Sequence, residues 1–175
     1  FSVRQFLRGA PISLVNWPTA SVGGIANYGA ASLFMHFLTE HFGGRDNLRR
    51  LLAQPEDNIA GIDRYLEEIG YSERFEDVFR MWAAANILDG DIRDSDGILG
   101  YGDLQVVSAV SGSIDGFNEA SSQIPQYAIE YTEISSVSEP LTISFHGQTT
   151  TQLLPVDLGA TGCWWSNSGD SIDST

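Results

Sequence analysis

Two histidines and a glutamate on one apolar stretch are the first side chains that could do chemistry. His36, Glu40 and His41 resemble the inverted zinc motif H-x-x-E-H, but with one residue too many. Paired histidine ligands on a helix need an i, i+4 spacing, whereas these two are five residues apart and point roughly 140° away from each other. The sequence has three histidines, one cysteine and no HExxH motif. We therefore expect no zinc site within this chain.

The acidic segment 89–97 is a second candidate, because it is rich in the oxygen ligands that calcium prefers. Its order does not follow the EF-hand loop, since Ile92 stands where a carboxylate is needed and no glutamate closes the loop. The segment is either a calcium loop or a solvated connection with turns at its glycines. The weak calcium candidates are Asp89, Asp91, Asp94 and Asp96.

The charge of the chain limits its partners. Nine basic residues oppose 23 acidic ones, which gives a formal net charge of −14. Such a charge disfavours binding to nucleic acid or to anionic membranes. All basic residues are arginines, so Schiff-base chemistry, a lysine general base and a Walker phosphate loop are excluded.

Cysteine count and hydropathy add further limits. Cys163 is the only cysteine, so an internal disulfide and a multi-cysteine metal site are excluded. No run approaches the ~18 to 20 apolar residues that span a bilayer. The chain starts at Phe1 without a signal-like segment, and we expect it to be processed or excised from a longer one. Removal of a tag would leave the same start.

The elements that must position these residues begin with helices. Asn27 is a candidate N-cap for a long helix whose apolar residues cover more than one face, and Gly43 is a candidate stop. Shorter helical patterns follow, with Asp46 and Ser72 as candidate caps and Gly70 as another stop. The predicted core of this helical lobe consists of Phe34, Phe37, Leu66, Phe79 and Trp82.

The second half of the chain changes its period. Apolar and polar residues alternate over 126–134 and 141–146, as they do in strands with one solvated face. We therefore predict an α+β protein, with a lobe of four to five helices followed by a partial antiparallel β-sandwich. The predicted divisions are a lobe over 1–88, an acidic Gly/Asp-rich linker over 89–103 and the sandwich over 104–175.

The long helical stretch 27–44, which opens at Tyr28 and stops at Gly43-Gly44, resembles a helix of the gluzincin zinc metallopeptidases. In that family a Tyr-x-x-Gly/Ala segment opens a helix that ends at Leu/Phe-Gly-Gly. The resemblance, which covers about the first hundred residues, continues through 48–52, 61–70 and 75–86. It is similar to the lobe after the HExxH region in secreted, immune-inhibitor-A-like or aminopeptidase-like enzymes. The segment 163–170 resembles the opening of their first β-domain.

The resemblance implies a function for Tyr28. In the family, the matching tyrosine donates a hydrogen bond to the oxyanion formed at the peptide carbonyl, a role that suits a neutral phenol. A tyrosine that only packs at the start of its helix is the structural alternative. The zinc ligands would come earlier in a secreted parent chain, and this chain alone would be inactive and hold no cofactor.

A non-catalytic extracellular module, structural or self-assembling, is the rival hypothesis. Only about four to six strand candidates are visible, fewer than a sandwich needs. We expect the open strand edges to pair with the rest of the parent polypeptide or with neighbouring copies. A Ser-His-Asp triad using His146 has no sequence signature to support it.

Overall fold

A computed structural model describes residues 1–9, 11–18, 24–89, 99–115 and 124–135. The chain divides into two units, Phe1–Ser135 and Ser136–Thr175, and every described residue lies in the first. The predicted strand over 141–146, His146, Cys163 and the tryptophans of 163–170 therefore lie outside the described residues. The predicted boundaries at residues 88 and 103 stay predictions.

Five helices make up about half of the described chain, and the sequence predicts four to five. They are α1 (Ser2–Phe6), α2 (Gly24–His41), α3 (Gly44–Leu52), α4 (Ile59–Glu68) and α5 (Phe75–Leu88). None of these helices is both long and apolar enough to cross a membrane. The coarse prediction of an α+β protein with a helical lobe is confirmed.

Helix α2 is the central element of the lobe. Its buried residues occupy about half of its circumference, which corrects the expectation of burial on more than one face; they are Asn27, Gly29, Ala30, Leu33, Phe34, Phe37 and Leu38. The opposite side carries Ile25 and Tyr28, both exposed. Helix α2 therefore has one face in the core and one face available to other groups.

Glycines end α2 and α4 where the sequence predicts. Gly43 has a φ of 91° and Gly70 a φ of 92°, left-handed values that only glycine adopts readily. The turn after α2 is fixed further by α4, because the Tyr65 hydroxyl donates to the Phe42 carbonyl at 2.9 Å. This turn sets the direction in which α3 leaves α2.

The predicted caps at Asp46 and Ser72 are wrong. Helix α3 starts at once after Gly43, so Asp46 lies in its first turn rather than ahead of it. Helix α5 is preceded by Arg74, and the first backbone N–H of the helix donates to Asp63 of α4 at 2.7 Å. The Asp63 carboxylate of α4 therefore caps α5 in place of the predicted Ser72.

The core of the lobe is aromatic. Of the five predicted core residues, Phe34, Phe37, Leu66 and Trp82 are at most 3% exposed, whereas Phe79 is only partly buried. Ring centroids lie 5.4 Å apart for Phe34 and Trp82 and 5.6 Å apart for Phe79 and Trp82. Such pairs add to the area that each ring buries.

The two described strands correct the predicted antiparallel arrangement. Strands β1 (Gly112–Asp115) and β2 (Thr132–Ser135) pair in parallel, with Gly112 opposite Thr132. A parallel pair needs a crossover connection rather than a tight hairpin. An antiparallel sandwich is therefore absent from the residues that the structure describes.

Strand β2 also begins later than the alternation over 126–134 predicts. Tyr127 has a φ of 51°, which interrupts an extended backbone. Its ring packs edge-on against Phe75 and Phe79 at centroid distances of 5.1 and 5.6 Å. Packing against α5 therefore replaces strand pairing at this point of the chain.

Candidate functional site

Tyr28 lies on the exposed side of α2, one turn after the helix begins at Gly24. Its side chain is 63% exposed, and its hydroxyl forms no hydrogen bond with any described residue. Its ring contacts Trp17 edge-on, with the centroids 4.7 Å apart. The ring of Tyr28 is therefore braced on one side by Trp17, while most of the residue is open to solvent.

The backbone around Tyr28 is fixed by Asn27, which corrects the predicted cap. Asn27 lies inside α2, is 2% exposed and donates from Nδ2 to the carbonyl of Ser13 at 2.8 Å. The Ser13 hydroxyl donates to the Gln126 carbonyl at 2.7 Å and accepts the Asn16 N–H at 2.8 Å. These bonds tie the non-helical segment 11–18, including Trp17, to the first turns of α2.

Several large apolar side chains of α2 and of the segment 11–18 share this exposure. Ile25 is 40% exposed, Trp17 37% and Val15 43%. Ile25 and Tyr28 are three residues apart and so project from the same side of the helix. Together with Trp17, which contacts the Tyr28 ring, they form an apolar surface. The Tyr28 hydroxyl is a hydrogen-bonding group on this surface.

A second group of polar side chains joins α2 to the loop after residue 98. His36 Nε2 lies 2.7 Å from Asp103 Oδ1 and 3.5 Å from Glu40 Oε2. One ligand atom from each residue lies within 4.8 Å of the others. The side chains of His36 and Glu40 are 27% exposed and that of Asp103 is 63% exposed.

The loop that carries Asp103 is anchored on both sides. The Tyr101 hydroxyl donates to buried Asn86 of α5 at 2.6 Å, and its N–H donates to Asp89 Oδ1 at 2.9 Å. His41 Nε2 donates to the Gly100 carbonyl at 2.9 Å. Burial raises the pKa of the Tyr101 phenol well above its usual range. Asp103 is thus presented to α2 by a well-fixed loop.

This group was not predicted from the sequence, because one of its three members is far from the other two along the chain. His36 and Glu40 are an i, i+4 pair, and that spacing was available as a signal on the predicted helix. Asp103 is 67 residues further along, and no local pattern links it to α2. His36 and His41 do not converge on one site, in agreement with the helical geometry expected of an i, i+5 pair.

Of the four calcium candidates, only Asp89 is among the described residues; Asp91, Asp94 and Asp96 lie outside them. Asp89 accepts the Tyr101 N–H with Oδ1 and the Val106 N–H, at 2.5 Å, with Oδ2. Both oxygens therefore hold the loop backbone. Whether the segment binds calcium stays a prediction.

Buried Tyr101 and partly buried Tyr131 complete the polar network behind the loop. The Tyr131 hydroxyl donates to the Ala83 carbonyl of α5 at 2.6 Å, and burial raises the pKa of this phenol. Near them, Trp82 Nε1 and Asn86 Nδ2 are buried and have no hydrogen-bond acceptor among the residues that the structure describes. This network ties β2 and the loop to α5.

The chain matches no protein-family model, no curated protein sequence and no solved structure.

Proposed function

We propose that this chain is part of a secreted zinc metallopeptidase of the gluzincin kind and forms the helical lobe beside its metal site. The described residues contain none of the HExxH ligand set, so in this proposal the zinc and its ligands belong to the rest of the polypeptide. Zinc there would supply an activated water and Lewis acidity. The role of the present chain is to hold Tyr28 as a donor to the oxyanion.

The geometry of Tyr28 is the observation that carries this proposal. A phenol that stabilises an oxyanion must be neutral, fixed in position and free to donate its proton to a group outside the lobe. Tyr28 is 63% exposed, its ring is braced by Trp17, and the adjacent Asn27 anchors the helix turn. A purely packing tyrosine would instead bury its hydroxyl against a backbone carbonyl, as Tyr65 and Tyr131 do.

The apolar surface around Tyr28 also favours a second candidate, a non-catalytic extracellular module that docks through this face. Trp17, Ile25 and Tyr28 offer aromatic and aliphatic area of the kind that interfaces bury. In that case the peptidase scaffold persists without a metal site. Both proposals allow an antiparallel sandwich formed by residues after β2. The rest of the parent chain or neighbouring copies would complete this sandwich.

The test is Tyr28→Phe in the complete, zinc-bearing polypeptide. Loss of one oxyanion donor lowers kcat by about 10- to 1000-fold while KM and the unfolding midpoint stay nearly unchanged. Tyr127→Phe is the matched control, because it removes another partly exposed hydroxyl, which contacts Glu76 at 3.4 Å. An unchanged kcat for Tyr28→Phe would remove the catalytic role. Absence of peptidase activity in the complete polypeptide would favour the docking module.

A further inference from the structure

We propose that His36, Glu40 and Asp103 form a binding site for a divalent transition-metal ion of the zinc type, which joins α2 to the loop 99–106. The proposal does not depend on the peptidase function, because these residues are distinct from Tyr28 and its surroundings. It differs from the metal pair considered in the sequence, since His41 bonds to Gly100 instead. The three ligand side chains come from one helix face and one anchored loop.

The distances suit a shared cation after a small adjustment. Ligand atoms bound to tetrahedral zinc at about 2.0–2.1 Å stand about 3.3 Å from each other. His36 Nε2 and Glu40 Oε2, at 3.5 Å, already have this separation. Asp103 Oδ1, at 2.7 Å from His36 Nε2, has to withdraw by about half an ångström. Its side chain is 63% exposed and has room to do so.

A metal ion can bind all three ligand atoms, whereas the single proton on His36 Nε2 makes a good hydrogen bond to only one carboxylate. The one N–H at His36 Nε2 is directed to Asp103, so the nearby oxygen of Glu40 is left 3.5 Å away. A metal ion at the centre would bind all three atoms at once, with the imidazole deprotonated at Nε2. Three protein ligands leave a fourth position for water.

The surroundings of the group orient its ligands. Glu40 Oε1 accepts the Gly102 N–H at 2.6 Å, which leaves Oε2 turned towards His36. The His36 ring lies against Tyr101, with centroids 5.9 Å apart. Outer contacts of this kind hold metal ligands in position and affect affinity by about 10- to 100-fold when they are removed.

Access and charge are compatible with a bound ion. A groove of about 300 Å³ is lined by His36, Thr39, Glu40, Gly44, Arg45 and Asp103. Its charges are the two carboxylates and the guanidinium of Arg45, so its lining is negative when the imidazole is neutral. One imidazole and only two carboxylates favour zinc over calcium, which takes six to eight oxygen ligands.

Equilibrium dialysis of the full chain against ZnCl₂, with parallel samples in CaCl₂ and MgCl₂, tests the proposal. A Cys163→Ser background removes the single thiol as a competing ligand. We expect one zinc ion per chain and no comparable uptake of calcium or magnesium. His36→Gln and Asp103→Asn should each weaken zinc binding by more than about 10-fold, whereas Asp46→Asn, a matched loss of a carboxylate outside the group, should leave it unchanged.

Cobalt substitution keeps the test decisive if one variant folds poorly. Co²⁺ in a His/carboxylate site gives visible absorption, and Asp103→Asn, at an exposed position, should abolish it while the helical circular dichroism is retained. Failure of the unsubstituted chain to retain zinc would mean that the group is an ion pair only. Zinc binding that survives both His36→Gln and Asp103→Asn would place the ion elsewhere and overturn the proposal.

Discussion

Gly29→Ala is a sharp test of how α1 packs on the helix that carries Tyr28. In an unconstrained helix interior, glycine to alanine stabilises by roughly 0.5–1 kcal/mol. At Gly29, a Cβ would lie 2.2 Å from the carbonyl oxygen of Ser2 and 2.8 Å from the backbone nitrogen of Val3. These are backbone atoms of α1, so no side-chain rotation relieves the overlap.

The size of the effect follows from that overlap. Ordinary van der Waals contact begins at 3.4 Å, so α1 has to move away from α2 by roughly 1 Å. Overpacking of this kind costs about 1–3 kcal/mol, which reverses the sign of the helix-propensity effect. The shift also loosens the packing of Phe6, whose ring stacks on Trp82 at 5.5 Å.

Urea unfolding followed by circular dichroism at 222 nm measures the change. Gly24→Ala is the matched control, because a Cβ at Gly24 would meet no atom of the described residues within 4 Å and Gly24 belongs to the same helix. We expect Gly29→Ala to lower the free energy of unfolding and Gly24→Ala to leave it equal or slightly higher. Equal stability of the two variants would refute the close contact between α1 and α2.

Three further predictions concern the core and the two tyrosines that bond to α5. Phe37→Ala should lower the free energy of unfolding by about 3–5 kcal/mol, because Phe37 is fully buried; a thermal midpoint that hardly moves would place it at the surface. Tyr101→Phe should lower that free energy by about 1–3 kcal/mol, because it leaves buried Asn86 Oδ1 without its donor; an unchanged urea midpoint would contradict this. Burial raises the pKa of Tyr131 in the folded protein. The contribution of Tyr131 to the free energy of unfolding is therefore complete below pH ~10, the pKa of an unfolded tyrosine. Above that pH the contribution falls, because the unfolded chain loses the phenolic proton first. Unfolding midpoints from pH 8 to 11 should therefore fall less steeply for Tyr131→Phe, and identical slopes would contradict the assignment.

The helices of the lobe could be predicted because their signals are local. The left-handed turns at Gly43 and Gly70 follow from residues close in sequence to them. The apolar spacing of Phe34, Phe37 and Trp82 likewise fixes which faces meet in the core. Such patterns depend on helix period rather than on tertiary contacts.

Errors arose where a distant group changes what a residue does. Asparagine is a common N-cap residue, but Asn27 lies within α2 and its side-chain amide donates to the Ser13 carbonyl. Tyr127 belongs to an alternating pattern, yet its ring packs on α5 and its backbone turns with positive φ. A single-sequence pattern contains no information about these partners.

Each candidate site likewise has a part that the local sequence predicts and a part that depends on tertiary contacts. The position of Tyr28 on a long helix follows from the sequence, whereas the exposure of its hydroxyl depends on the packing of Trp17 and segment 11–18. The i, i+4 pair of His36 and Glu40 could have been found by spacing. Asp103 joins them only because Tyr101 and Asp89 anchor its loop against α5.

The most direct measurement of the central claim is the sequence of the coding DNA upstream of Phe1. If the chain is the lobe that follows a gluzincin metal site, the reading frame continues upstream and encodes an HExxH motif, then a glutamate ligand, before Phe1. A frame that starts at this chain, or an upstream region without that ligand set, would contradict the peptidase proposal and leave Tyr28 to a non-catalytic surface.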